Sequence, residues 1–224
     1  MPTDIHCTLC AGIQTSHFAI DSRRPYLRCA TCGLVFVPPA YYLSRDAERA
    51  EYDLHQNNAD DPGYRAFLSR LSQPLCERLS PGARGLDFGC GPAPALAQMM
   101  AAAGFEMALY DSFYASDTAP LAQQYDFVCA TEVVEHLHHP GRELERLWSL
   151  LRPGGWLGVM TKLARDAEAF AKWHYKNDPT HVCFFSTRTW QWWAGRRGAT
   201  VEIIGADVAL FRKTPQDPSA SIPA

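Results

Sequence analysis

With 224 residues, 47% of them hydrophobic, the chain has room for one full-size domain and a small module. A formal net charge of -3 gives no electrostatic sign of nucleic-acid binding, and no apolar run is long enough for a membrane span. The N-terminus carries no signal-peptide pattern, so a cytoplasmic location is expected.

Four of the eight cysteines fall in two pairs, Cys7-x2-Cys10 and Cys29-x2-Cys32, with eighteen residues between the pairs. This is zinc-ribbon spacing. Gly12 and Gly33, just beyond each pair, permit the tight knuckles. Four thiolates close a tetrahedral Zn²⁺ site with no open position, so a structural metal is expected in residues 1–40. A module this small needs the metal in order to fold. His6 and His17 lie near but are not needed as ligands. The alternative, two redox dithiols, requires a thioredoxin-like context that is missing. Whether the module binds a substrate or partner, or braces the rest, the spacing does not decide.

Pro38-Pro39 marks a boundary, and residues 41–80 read as helical, interrupted by the polar stretch 57–63. Tyr64, Phe67, Leu68 and Leu71 recur at helical spacing. The segment is either a packed linker or a cap that brings Tyr41, Tyr42, Tyr52 or Tyr64 over a cleft. The stretch Gly85-Leu86-Asp87-Phe88-Gly89-Cys90-Gly91-Pro92 then reads as a buried strand, a glycine turn and the start of a helix over 94–103 that ends at Gly104. A second strand over 107–110 ends in Asp111, twenty residues after Gly91. That is where a nucleoside-binding crossover places an acid for ribose hydroxyls. Only 112–124 separate it from the next strand, 125–131, which is short for a helix and a strand. A helix over 142–151, a strand over 156–161, a helix over 186–195 and a hairpin of 199–204 with 208–211 follow. The tail, 214–224, is Pro- and Ser-rich and is expected to be disordered.

Leu86-Asp87-Phe88-Gly89-Cys90-Gly91, Asp111, Tyr125-Asp126-Phe127-Val128, Glu132-Val133-Val134-Glu135-His136 and Leu151-Arg152-Pro153-Gly154-Gly155-Trp156-Leu157 come in one order. Over 81–213 that order resembles class I S-adenosylmethionine-dependent methyltransferases, most closely the branch of ubiquinone-type O-methyltransferases and proteins with an N-terminal zinc ribbon. The resemblance implies an α/β, Rossmann-like, seven-stranded and mostly parallel sheet with an antiparallel last strand. It implies that Asp87, Gly89 and Gly91 line the methionine part of the cofactor and Asp111 its ribose. It also turns Thr131 and Glu132 toward the transferred methyl group. The short 112–124 segment leaves the adenine contact unassigned, with Asp117 the nearest acid.

Glu132, Glu135 and His136, with His181 further on, are the candidate set for chemistry. If Glu132 opens a helix, the carboxylates and imidazole lie one turn apart and suit a divalent ion such as Mg²⁺. Related acid-x-x-acid-His motifs hold such an ion in small-RNA 3′-end methyltransferases. Without metal, His136 or His181 is the general base expected at neutral pH. The competing reading is ordinary: glutamates favoured by a helix N-terminus and a packing histidine. His138 and His139 read as surface loop residues, and Lys162 either pairs with an anion or is solvated. The aromatic run from Phe170 through Trp173, Tyr175, Phe184 and Phe185 is core or a wall for a planar substrate.

The expected activity is methyl transfer to a hydroxyl of a small metabolite. RNA and protein acceptors stay open on the sequence. The rivals are a nicotinamide-dependent oxidoreductase on the same β-turn-α-β unit, and a non-catalytic scaffold that binds the cofactor and recruits a partner through the ribbon.

Overall fold

The computed structural model describes residues 5–54 and 58–215. The expected tail from 216 onward and the beginning of the polar interruption at 57 lie outside them. Among the described residues no helix is long and apolar enough to cross a membrane.

Among the described residues, two sheets carry the fold. The larger is built from β4 (Arg84–Phe88), β5 (Glu106–Tyr110), β6 (Tyr125–Thr131), β7 (Leu151–Met160), β9 (Thr200–Ile204) and β10 (Val208–Arg212). Their order is β5-β4-β6-β7-β10-β9, numbered together with the three N-terminal strands β1 (Thr15–Ile20), β2 (Pro25–Cys29) and β3 (Val35–Phe36) and with β8 (Cys183–Phe184). β4 runs parallel to β5 and β6, and β6 runs parallel to β7. β10 is antiparallel to both neighbours, as the resemblance implied.

The sheet has six strands among the described residues, not the expected seven. Asp111 bridges back to Ala115 in a tight turn, a short 3-10 helix spans Ala119–Ala122, and the chain enters β6 at once. A further parallel strand would need a crossover of a dozen or more residues before it began. β5 is therefore the edge.

Alternation along the central strands sorts side chains to two faces. Phe127, Cys129, Met160 and Leu210 join a core under α2 (Pro62–Cys76) and α3 (Ala95–Ala102). Val128, Ala130, Leu157, Val159 and Phe211 join the other core, with α4 (Pro140–Ser149) and α6 (Thr187–Gly195). This two-faced burial explains why β6 reads as a nearly unbroken apolar run. The remaining helices are α1 (Arg45–Tyr52) and the five-residue α5 (Ala167–Ala171). Ser186 caps α6 by accepting from the Thr189 N–H, and Trp190 and Trp193 are buried beneath it.

The second sheet has the order β1-β2-β3-β8. Its fourth strand comes from far along the chain, so the cysteine region does not close a sheet of its own. Phe170 packs edge-on against Phe18 and Tyr26 of this sheet and against Phe184. The 170–185 aromatics that are buried, Phe170, Tyr175, Phe184 and Phe185, serve as the seam between the two sheets.

Glu132-x-x-Glu135-His136 opens no α-helix. Glu132 has φ +51, and only a 3-10 turn, Val134–His136, follows before α4 starts at Pro140. The chain must leave β6 abruptly here, because Val133 fits against Gly89. A Cβ on Gly89 would lie 2.3 Å from Val133 Cγ2.

Candidate functional site

A cleft of about 750 Å³ opens at the carboxyl ends of β4, β5 and β6, a size typical of small-molecule sites. Asp87, Gly89, Gly91, Asp111, Thr131, Glu132, His136 and His181 all line it. All but His181 converge because parallel strands deliver their C-terminal turns to one edge of the sheet; His181 comes from the loop before β8 of the other sheet.

The two glycines have positive φ, +77 at Gly89 and +63 at Gly91, and nothing lies within 4 Å of where a Cβ on Gly91 would be. The turn thus leaves backbone open to a ligand. Asp111 organises it, accepting from Gly91 N (3.0 Å), Phe113 N (2.8 Å) and Tyr114 N (3.1 Å). Asp87 is 2% exposed, and its Oδ1 has no hydrogen-bond partner. Burial, reinforced by the negative Asp111, pushes its carboxyl up to about 7. An orphaned buried carboxyl oxygen beside an open glycine turn fits a cofactor with a donor group of its own.

α1 lies over the cleft from the β5 side. Arg45 donates to Ser112 O (2.9 Å) and stacks 4.7 Å above Phe113, while Tyr114 donates to Asp53 (2.6 Å). The Tyr52 ring sits 5.5 Å from Phe113 and 5.2 Å from His136. Tyr52 and Tyr64 line the cleft, whereas Tyr41 does not. Asp117 does not line it either. It accepts from Ala119 N and starts the 3-10 helix. Phe113 and Tyr114 line this side of the cleft, and the only signal for them was their place directly after the acid. His138 was expected at the surface but lines the cleft, 2.9 Å from Glu48 and stacked on Tyr42.

Glu135, His136 and His181 bring one ligand atom each to within 4.8 Å of the others. Glu132 stands outside this group. Its Oε2 takes a bond from the Tyr175 hydroxyl (3.2 Å), which also reaches Glu135 Oε1. Burial pushes Glu132 up to about 7, and burial together with Glu132 pushes Glu135 well above the carboxylate range. Glu135 Oε2 is buried without a hydrogen-bond partner, which suits a cation at this group. Tyr175 was legible only as one aromatic among several. Its backbone carbonyl holds His181 Nδ1 (2.7 Å), and Thr180 Oγ1 holds His136 Nδ1 (2.9 Å). Lys162 stays outside the cleft lining, near His174 and over the Tyr175 ring.

The four N-terminal sulfurs also lie within 4.8 Å of one another, with Cys7–Cys32 and Cys10–Cys29 at 3.5 Å. Those separations are far from the roughly 2 Å of a disulfide. They approach the ~3.8 Å that a tetrahedron with Zn–S of about 2.3 Å requires. The donor set fits a structural zinc ion.

The family profile described as "Methyltransferase domain" matches residues 58–203. Among solved structures, the chain is similar to one from the complex between the Haloferax volcanii Trm112 methyltransferase activator and its methyltransferase partner. That match is 13% identical, with TM-score 0.52, over 78% of this chain and 100% of that one. It is also similar to the Burkholderia thailandensis 1,6-didemethyltoxoflavin-N1-methyltransferase with bound 1,6-didemethyltoxoflavin and S-adenosylhomocysteine. There the identity is 18% and the TM-score 0.52, over 88% of this chain and 99% of that one. No curated protein matches the sequence. Identities this low speak to the fold, a class I methyltransferase sheet.

Proposed function

The chain belongs to the methyltransferase-domain family, and from that membership we propose that it transfers the methyl group of S-adenosylmethionine to a hydroxyl of a small-molecule acceptor. The observation that carries the reading is the junction of two groups at one cleft: the Asp87–Gly89–Gly91–Asp111 turn, and His136 and His181, which line the cleft with the ligand atom of the buried Glu135 within 4.8 Å of theirs. In this reading Asp87, Gly89 and Gly91 hold the methionine portion of the cofactor, Asp111 the ribose, and Thr131 and Glu132 face the methyl group. The cofactor supplies an electrophilic sulfonium methyl. The cleft contributes alignment, which accounts for much of the rate of an in-line displacement. Where no metal is bound, His136 or His181 takes the acceptor's proton, an imidazole being matched to neutral pH. Glu135, His136 and His181 would hold a divalent ion such as Mg²⁺, whose chemistry is to acidify a bound hydroxyl. Residues 1–40 act as a zinc-held module and 81–213 as the methyltransferase domain; within the linker 41–80, α1 covers the cleft while α2 packs into the core of the sheet.

The Burkholderia structure carries S-adenosylhomocysteine, which supports the cofactor class here and leaves the acceptor to experiment. The imidazoles of His136 and His181 in the same cleft support an enzyme over a non-catalytic scaffold.

Calorimetric titration with S-adenosylhomocysteine, with NADH as control, tests the proposal. Micromolar binding lost in Asp111→Ala, and no binding of NADH, are expected. An acceptor screen with and without Mg²⁺ then follows. Folded, zinc-loaded protein that binds NADH, or neither ligand, would overturn it.

A further inference from the structure

The role of the cysteine module was open from the sequence. Its hairpin between β1 and β2 reaches the loop that carries His181. Arg24, 5% exposed, is the buried contact, beside the exposed Arg23, whose guanidinium donates to Asn177 O (2.5 Å) and Asn177 Oδ1 (3.2 Å). The Arg24 guanidinium donates to four backbone carbonyls of that one loop: Pro179 (2.8 Å), Lys176 (3.0 Å), Asp178 (2.8 Å) and His181 (2.9 Å). Nε donates to Tyr26 OH at 3.2 Å. A planar fork of five N–H groups can span such a set, and an ammonium cannot.

The grip is itself fixed. Asp21 Oδ1 accepts from Arg23 N (2.8 Å) and Arg24 N (3.0 Å), and Asp21 Oδ2 accepts from the Tyr26 hydroxyl (2.8 Å) and lies 3.3 Å from Lys176 Nζ. On the far side of His181, Val37 N donates to Val182 O (2.9 Å), and Val182 N donates to Glu135 O (2.8 Å). β3 pairs with β8 directly beyond. His136 depends on the same loop, since Thr180 Oγ1 bonds both its Nδ1 and Asp178 Oδ1. The cofactor half of the cleft hangs on other elements, the turns after β4 and β5.

We propose that Arg24 is the positioning residue of the Glu135–His136–His181 site, and that the cysteine module exists to hold the 176–182 loop on which that site is built. The inference takes that site from the functional reading above, but its geometry is independent of the acceptor. Through this loop the state of the cysteine cluster reaches the site without touching cofactor binding.

The test compares zinc-loaded full-length protein with Arg24→Lys and, as a control, Arg188→Ala. The latter removes a bond to Ala30 O, in the turn directly after β2 of the same module. Amide exchange over 176–182 and the ring signals of His136 and His181 in histidine-labelled protein are read alongside S-adenosylhomocysteine affinity. Arg24→Lys is expected to exchange on the order of tenfold faster in this loop and to shift both ring signals, with cofactor affinity within about twofold. Arg188→Ala is expected to leave the loop and rings unchanged. Unchanged exchange and ring signals in Arg24→Lys would overturn the proposal, as would equal effects in both variants. If Arg24→Lys does not fold, Asp21→Asn loosens the same grip with the guanidinium retained. The same signature is expected there, and its absence is equally fatal. A wild-type chain that binds no S-adenosylhomocysteine would refute the methyltransferase reading and leave the exchange result to decide this one.

Discussion

Asp87 is the residue whose fold cost can be isolated by pH. In the folded chain burial holds its carboxyl protonated up to about 7, against an ordinary value of 3.8. Between those values the unfolded chain releases a proton that the folded chain keeps, so raising the pH favours unfolding. A rise of roughly three pH units at 1.36 kcal/mol each amounts to about 4 kcal/mol, fully felt above pH 7. Asp87→Asn removes the titration. The amide brings a fixed packing effect of its own, but that effect does not vary with pH. The stability difference between variant and wild type should therefore shift in favour of the variant by about 2–3 kcal/mol between pH 5 and pH 8. For a chain of this length that is a relative gain of roughly 4–10 °C in melting temperature. Urea or thermal unfolding at several pH values measures it. Affinity for S-adenosylhomocysteine should fall in the same variant. Parallel pH profiles for the two proteins would refute the reasoning, because they would mean that Asp87 is ionised or solvated in the fold.

The glycines of the turn should separate strain from occlusion. Gly89→Ala, with φ +77 and Val133 Cγ2 2.3 Å from the new Cβ, should cost roughly 2–4 kcal/mol in urea unfolding. Gly91→Ala, with φ +63 and open space, should cost about 1–2 kcal/mol and lose S-adenosylhomocysteine binding in calorimetry. At the acidic group, His181→Ala should weaken Mn²⁺ binding by roughly ten- to hundredfold, while Glu132→Gln, outside the cluster, should change it by less than about threefold in a calorimetric titration. Cys29→Ser should take the zinc content measured by mass spectrometry from one ion per chain to none and lower the melting temperature. Because β8 belongs to the cysteine sheet, the loss should also speed amide exchange at Cys183 and Phe184.

Local chemistry made much of this protein legible. The strand–glycine turn–helix at 85–103, the acid at 111, the capped helix after Ser186 and the closing hairpin follow from contacts within a few residues along the chain. The paired cysteines also announce themselves, since each knuckle is a local turn. All of these appear in the fold within a few residues of where the pattern put them. The short 112–124 segment was visible too. The resemblance nevertheless implied seven strands, and only the structure showed six among the described residues, with β5 at the edge.

Tertiary structure decided what joins distant segments. Helical spacing put Glu132 with Glu135 and His136, but the abrupt exit from β6 at φ +51 gives Glu132 to Tyr175 and gathers the other two around His181. A two-residue strand such as Cys183–Phe184 has no signal of its own and exists only because β3 offers it an edge. Nothing in the sequence distinguishes Arg24 from Arg23 beside it. The burial of Arg24 against the 176–181 carbonyls depends on a loop more than 150 residues away. The sequence by itself determined the elements and the cofactor-side turn, because neighbours in the chain constrain one another. Only the packed fold determined which acids meet which histidines and what the cysteine module holds, because those bonds form between segments that nothing local aligns.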